Sequence, residues 1–531
     1  MSWSDLQAKP NVLILITDQQ REARHWPAGW AEENLTSLQA LRRHGMTFEN
    51  AFCSACECSP SRASFVTSTY PQVNGMTRTP PNITLSPTMP NIATVMREGG
   101  YEVAWKGKWH LFEQGKAGTD LSAWGFAGWD PPDAGTTLDN HNLGGGTPGT
   151  SASNGNDPRY VSAADGAIAY LREWQAQPVE ARRPFCLVVS LANPHDVHVY
   201  VQGYPEVGYP DDFESLPIDL PANYDDTLRT KPRAQLAVRE LLDNLILPFK
   251  RRKGCLAALL DPLTPPGGKS DGKRLTPLGY TKFYAWLNRL ADHDLGRVTG
   301  ALEELGLAES TLVVRFADHG EMGMAHGLRE KVYNAYEETI HVPLVFSNPV
   351  AFPGPASTPA LASLVDLLPT LASIAGVPAP AGAVGADLTP VLSGAAPSVQ
   401  DGVVWAYDDF AGVLPVIANK LRALRTERWT YVVYFSPLGP LAVPPEFELY
   451  DLKADPEQMN NLLKPHQARL EPWVVERWLE LHLRLTELAR EKGTLPEHWP
   501  PSVDASLLSV DPLPTPVPPE FIGWEPVLWG K

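Results

Sequence analysis

Asn11-Val12-Leu13-Ile14-Leu15-Ile16-Thr17-Asp18-Gln19 opens the ordered reading of this chain. The first seven residues form an apolar, β-branched run with no polar alternation. A strand covered on both faces in a parallel sheet requires that pattern. The run ends on Asp18 and Gln19. In open α/β sheets ligands collect beyond the carboxyl ends of strands, so a carboxylate there is placed for a site; a cap on the next segment is the plainer alternative. Similar runs recur at Phe185–Leu191, leading into His195, and at Thr311–Ala317, leading into Asp318-His319-Gly320-Glu321. A shorter one, Tyr101–Trp105, leads into Gly107-Lys108-Trp109-His110. If the runs at 11–17 and 311–317 are neighbours in one parallel sheet, Asp18 and Asp318 meet at its edge. Two carboxylates that close cannot both stay ionised without a cation, which points to a divalent metal.

Between these strands, helical spacing appears at Leu35–His44, Met89–Glu98, Val161–Gln175, Lys282–Leu305 and Val365–Gly376, most of them stopped by glycine. Phe48–Phe52 and Val342–Ser347 read as short strands, and Thr69–Met76 as a turn. The alternation predicts an α/β fold: a large mixed, mostly parallel central sheet flanked by helices. A Pro/Ala/Gly-rich stretch, Pro378–Val399, marks a boundary. Beyond it, strand-like Leu421–Arg425 and Trp429–Phe435 and the amphipathic Arg469–Glu491 predict a smaller C-terminal α+β subdomain. The expected division is a catalytic unit at 1–400, an antiparallel-sheet subdomain with a helix at 401–492 and a proline-rich extended tail at 493–531. That tail carries Trp499, Phe521, Trp524 and Trp529, and is expected to lie across its own domain or to join a second copy in a homo-oligomer. Gly118–Pro158 reads as a long irregular loop, with Trp124, Phe126 and Trp129 in its first half, that either lines a pocket or lies in solvent.

With 61 acidic against 44 basic residues in 531, the formal net charge is -17, which argues against nucleic acid as a partner. Met1–Pro10 lacks a basic leader, and Val12–Ile16 is too short to span a membrane or serve as a signal core, so a cytoplasmic location with no membrane partner is expected. Five cysteines, three crowded at Cys53, Cys56 and Cys58 with Cys186 and Cys255 apart, make no disulfide framework. Cys53-x-x-Cys56 admits a zinc or redox reading, but no second pair at finger spacing follows; small buried side chains are the bland alternative. Leu236–Phe249 reads as a helix, Lys250–Lys253 as its solvated basic end and Pro262–Lys273 as a flexible loop.

Cys58-Ser59-Pro60-Ser61-Arg62, running into Ala63–Thr67, resembles the site at which type I sulfatases have a cysteine converted to formylglycine. Tyr70-Pro71 to Gly75 resembles the segment that follows it in that family. Gly100-Tyr101 to Gly107-Lys108-Trp109-His110 is similar to the second sulfatase signature, departing from it at Val103 and Lys106. Pro194-His195, then Asp318-His319-Gly320-Glu321, His326-Gly327, Lys331, Tyr336-Glu337-Glu338 and Val342-Pro343-Leu344 resemble the remaining site segments in order. Asp366 to Leu371, and Glu448–Leu452 with Asp455-Pro456 and Asn461-Leu462, extend the likeness into the C-terminal part. Each string alone is weak; their common order along the chain is specific.

The resemblance to the formylglycine-dependent sulfatases of the alkaline phosphatase superfamily implies hydrolysis of small-molecule sulfate esters. It also implies a maturation enzyme that oxidises Cys58 to formylglycine. The aldehyde hydrates to a gem-diol, one hydroxyl of which attacks sulfur while the other later releases sulfate. By the same matching the metal ligands are Asp18, Gln19, Asp318, His319 and the modified Cys58. Gln19 stands where a second Asp is frequent and His319 where Asn is frequent, which lowers the anionic charge and adds a nitrogen. Oxygen-rich ligation implies calcium, with manganese or magnesium left open by the histidine. Arg62 would hold the diol, Lys108 and Lys331 would grip the transferred group, His110 would take the proton of the second hydroxyl, and His195 would protonate the leaving oxygen. The rival readings are a phosphonate monoester or phosphodiester hydrolase of the same superfamily and, from a different class, a metal-binding or redox protein built on the cysteine cluster.

Overall fold

In the computed structural model the opening run forms β1 (Asn11–Asp18), buried at every position. β2 (Gly45–Phe52), β3 (Glu102–Gly107), β4 (Phe185–Pro194), β5 (Thr311–Ala317), β6 (Leu344–Ser347) and β7 (Ala356–Ser363) complete a seven-stranded sheet ordered β3-β4-β1-β5-β6-β2-β7. β6 is antiparallel to β5 and β2, and every other pair is parallel. The structure describes residues 3, 6 and 9–508, apart from 80, 117, 136–141, 146–154, 206–207, 244–274, 409–417, 437–443, 466–468, 498, 501 and 504.

The central position of β1 follows from its composition, because only a strand with helices over both faces and strands on both sides can be apolar throughout. Its partners are β4, with Val12 opposite Cys186, and β5, with Thr17 opposite Ala317. The helix Pro277–Glu304 packs on β4; Thr276 caps it by accepting from the Gly279 N–H, and Pro277 occupies a first-turn position whose N–H needs no partner.

The single helix expected over Val161–Gln175 is two, Asn156–Ser162 and Ala167–Ala176. Between them the chain folds back so closely that a Cβ on Gly166 would lie 2.9 Å from the Arg159 carbonyl oxygen. The expected turn at Thr69–Met76 contains a helical turn, Pro71–Asn74. β7 was not expected: Ala-Ser-Thr-Pro-Ala-Leu-Ala-Ser has no apolar run, and Pro359 is tolerated because the strand is at the edge. Trp124, Phe126 and Trp129 of the long loop do not face solvent. They are buried and pack edge-on in a cluster with Trp105, Trp109 and Phe112.

β8 (Val403–Tyr407), β9 (Lys420–Arg425), β10 (Trp429–Phe435) and β11 (Glu446–Asp451) form a second, antiparallel sheet. One face, through Trp405, Tyr407, Val432 and Tyr434, joins the core of the large sheet. The other is covered by Val474, Trp478, Leu481, Leu485 and Leu488 of the helix Pro472–Glu491. Past that helix Trp499 stacks on His482, ring centroids 5.4 Å apart, so the start of the tail lies across its own chain. Phe521, Trp524, Trp529, Cys255 and the segments expected at 250–253 and 262–273 lie outside the described residues. Among the described residues no helix is long and apolar enough to cross a membrane.

Candidate active site

β1 and β5 end side by side, which sets Asp18 and Asp318 at one sheet edge; the Gln19 N–H donates to Asp318 Oδ1 at 3.0 Å. Across that edge runs the helix Cys58–Thr67, buried over its whole length, with Cys58 at its first position. Residues one turn apart share a helix face, so Cys58 and Arg62 point together toward the acids. Cys58 Sγ lies 3.5 Å from Asp18 Oδ1 and 3.2 Å from His319 Nε2. The Arg62 guanidinium donates to Asp318 Oδ2 at 2.9 Å and Asp18 Oδ2 at 3.1 Å, and also to the Lys108 carbonyl and Ser190 Oγ.

The end of β3 supplies the next cation. Gly107 has φ 97 and crosses β4 so tightly that a Cβ there would fall 2.0 Å from the Ser190 carbonyl oxygen, which leaves glycine as the only residue that fits. The chain then turns Lys108 inward. Its Nζ lies 2.6 Å from Asp18 Oδ2 and donates to the Gly135 carbonyl at 3.2 Å. His110 follows, its backbone N–H clamped by Asp133, and both of its ring nitrogens have no hydrogen-bond partner among the described residues. His195, just past β4, likewise has an unpartnered Nδ1 among the described residues. A Cβ on Gly135 would touch both Lys108 Nζ and His195 Nδ1, so these two side chains share one wall.

Burial alone would raise the Asp18 pKa, but Lys108, His195 and Arg62 outweigh it and hold the carboxyl well below its ordinary range. Asp318 moves the opposite way, pushed up by burial and then by the charge on Asp18. The pair is therefore electrostatically unequal. Burial, then Asp18, pushes the Cys58 thiol up to about 12. Burial, then Lys108, holds His110 and His195 well below the usual imidazole value, which keeps both neutral and able to accept a proton.

The ligand atoms of Asp18, Cys58, Asp318 and His319 all lie within 4.8 Å of one another. That spacing fits donors around one divalent ion with bonds of about 2.0 to 2.4 Å. His319 is oriented for it: Nδ1 is 3.0 Å from the Gly320 carbonyl oxygen, which can only accept, so Nδ1 carries the hydrogen and Nε2 of a neutral ring presents its lone pair. The side chain of Gln19 is turned elsewhere. Its oxygen accepts from Lys331 Nζ at 2.5 Å, and its amide donates to Glu321 and Glu330. Lys331 is thereby fixed beside the group by Gln19 and Glu330. Cys53 and Cys56 are buried and, among the described residues, join no group of three or more metal-ligating side chains.

Ser190, Asp133, Gly135, Glu321 and Glu330 also build the site and were not singled out from sequence for it. Two of them left a signal: Glu321 as the last residue of the string Asp318-His319-Gly320-Glu321, and Ser190 as a polar residue inside the apolar run that precedes His195.

A family model described as "Sulfatase" matches residues 10–377, and one described as "N-sulphoglucosamine sulphohydrolase, C-terminal" matches residues 324–488. The choline-sulfatase of Rhizobium meliloti (strain 1021) is 28% identical, over 86% of this chain and 82% of its own length. Among solved structures, BT1596, a 2-O GAG sulfatase, superposes with a TM-score of 0.66 at 21% identity, covering 95% of this chain and 97% of that one. The phosphonate monoester hydrolase of Agrobacterium radiobacter superposes with a TM-score of 0.63 at 23% identity, covering 91% and 96%.

Proposed function

Because the chain belongs to the sulfatase family of the alkaline phosphatase superfamily and is a sulfuric ester hydrolase, we propose that it cleaves sulfate monoesters of small molecules at residue 58. In this reading a maturation enzyme first oxidises Cys58 to formylglycine. Asp18, Asp318, His319 and residue 58 would hold a divalent cation, calcium by the weight of oxygen donors, while Gln19, expected as a further ligand, instead spends its side-chain oxygen on Lys331. Hydrated formylglycine supplies a hydroxyl nucleophile and a second hydroxyl whose deprotonation reforms the aldehyde, and the cation supplies Lewis acidity.

The chain's own side chains do the rest. Arg62, braced between both acids, holds residue 58 toward sulfur. Lys108, held on Asp18, and Lys331, held on Gln19, are both buried and would offset the charge of the sulfate oxygens, where such contacts are worth several kcal/mol. Neutral His110 accepts the proton of the second hydroxyl. Burial and Lys108 keep free His195 neutral, so it takes a proton from solvent as the negatively charged substrate enters and passes it to the leaving oxygen.

The observation that carries this reading is the place of Cys58 Sγ, at the first position of a buried helix, 3.5 Å from Asp18 and 3.2 Å from His319. The test compares para-nitrophenyl sulfate with para-nitrophenyl phenylphosphonate, in the wild type and in Cys58→Ala. We expect the sulfate to be preferred in kcat/KM and Cys58→Ala to lose about 10^3-fold or more. Preference for the phosphonate would move the assignment to that branch of the superfamily, and full turnover by Cys58→Ala would remove residue 58 from the chemistry.

A further inference from the structure

His198 is a buried imidazole that the mechanism above does not use. It sits in the turn His195–Val199 that follows β4, three residues past His195 and only 7% exposed. Its Nδ1 is 2.7 Å from the His195 carbonyl oxygen. A carbonyl only accepts, so Nδ1 carries the hydrogen, and in the neutral ring Nε2 is left as a pure acceptor. Among the described residues Nε2 has no hydrogen-bond partner. Burial lowers the ring's pKa, in keeping with the neutral form. The two imidazoles meet edge-on with centroids 4.7 Å apart, and the ring feels the charges of Asp196, Glu330 and Lys331. His198 therefore stands directly beside the residue assigned to the leaving oxygen.

We propose that His198 Nε2 is a specificity group that accepts a hydrogen bond from a donor next to the ester oxygen on the alcohol half of the substrate. This rests on the sulfate-ester reading and narrows it. The substrate class is then a sulfate of a polyhydroxy compound or an amino alcohol, whose hydroxyl or N–H lies one or two atoms from the ester, not of a bare aryl alcohol. A buried acceptor that a ligand leaves unmatched penalises that ligand, so discrimination arises against esters lacking the donor as well as in favour of those bearing it.

The test uses two esters that differ by one hydroxyl, phenyl sulfate and catechol monosulfate. We expect the wild type to favour catechol monosulfate by about tenfold or more in kcat/KM, the size of one hydrogen bond. In His198→Asn, where a shorter amide can still donate to the His195 carbonyl but offers nothing at the Nε2 position, the ratio should collapse toward one. A wild-type ratio near one overturns the proposal without any variant having to fold. A ratio retained in His198→Asn overturns it too, since the discrimination would then come from elsewhere. A wild type that hydrolyses neither ester overturns the parent sulfate reading, a result distinct from either.

Discussion

Arg62 donates to Asp18, Asp318, the Lys108 carbonyl and Ser190, so one guanidinium ties the ends of β1, β5 and β3 to β4 beside Cys58. Lysine, a single point charge on a flexible stem, lacks the fork that reaches both acids. Removing the cation strands buried carboxylates, and we predict that Arg62→Leu lowers stability by about 3 to 5 kcal/mol, read as a fall in the urea midpoint with the slope unchanged. A loss under about 1 kcal/mol would mean that Lys108 suffices to balance the pair. At this scale the sequence was informative wherever a residue stood at a strand end or in a signature string, as Asp18, Cys58, Lys108, His195 and Asp318 do. Asp133 and Gly135 were opaque because they act through the backbone: Asp133 accepts from two peptide N–H groups and Gly135 offers a carbonyl, and neither role constrains a pattern.

The apolar strands were the most legible elements, since burial on both faces admits only one composition. β7 was not, because an edge strand with a proline looks like a loop until β2 pairs with it. The helix Pro472–Glu491 was visible by its amphipathic spacing, yet its docking depends on a polar residue on the buried face. His482 bonds Tyr431 Oη at 3.0 Å and the Pro500 carbonyl at 2.8 Å and stacks on Trp499. Burial lowers its pKa. In the pH range between its folded value and about 6.5 the unfolded chain binds the extra proton and the folded one does not, so stability rises with pH there. The contribution of His482 is therefore complete above about pH 6.5 and is lost as the pH falls toward the folded value, at up to about 1.4 kcal/mol per unit. We predict that the stability gap between wild type and His482→Gln, from urea unfolding at a series of pH values, narrows on acidification below that point. A gap that widens would give the imidazole the opposite sign of shift.

For the whole molecule, the site is assembled from segments some three hundred residues apart and braced from behind by the small sheet. Arg425 of β9 pairs with Glu337 at 2.7 Å. Glu448 of β11 accepts from Tyr434 at 2.8 Å and from Tyr336 at 3.2 Å. These contacts hold residues 336 and 337, a few positions beyond Lys331, so the second sheet acts on the site's geometry without lining it. The order of motifs made the family legible; this bracing was not, because it depends on which faces of two sheets meet, and strand periodicity leaves that open.

The central claim is that residue 58 acts as an aldehyde and not as the thiol the gene encodes. It is tested most directly by measuring para-nitrophenyl sulfate turnover across preparations whose aldehyde fraction at residue 58 has been fixed by peptide mass spectrometry. The account predicts that turnover rises in proportion to that fraction and extrapolates to zero where the thiol is intact. Equal turnover in a preparation carrying only the thiol would contradict it.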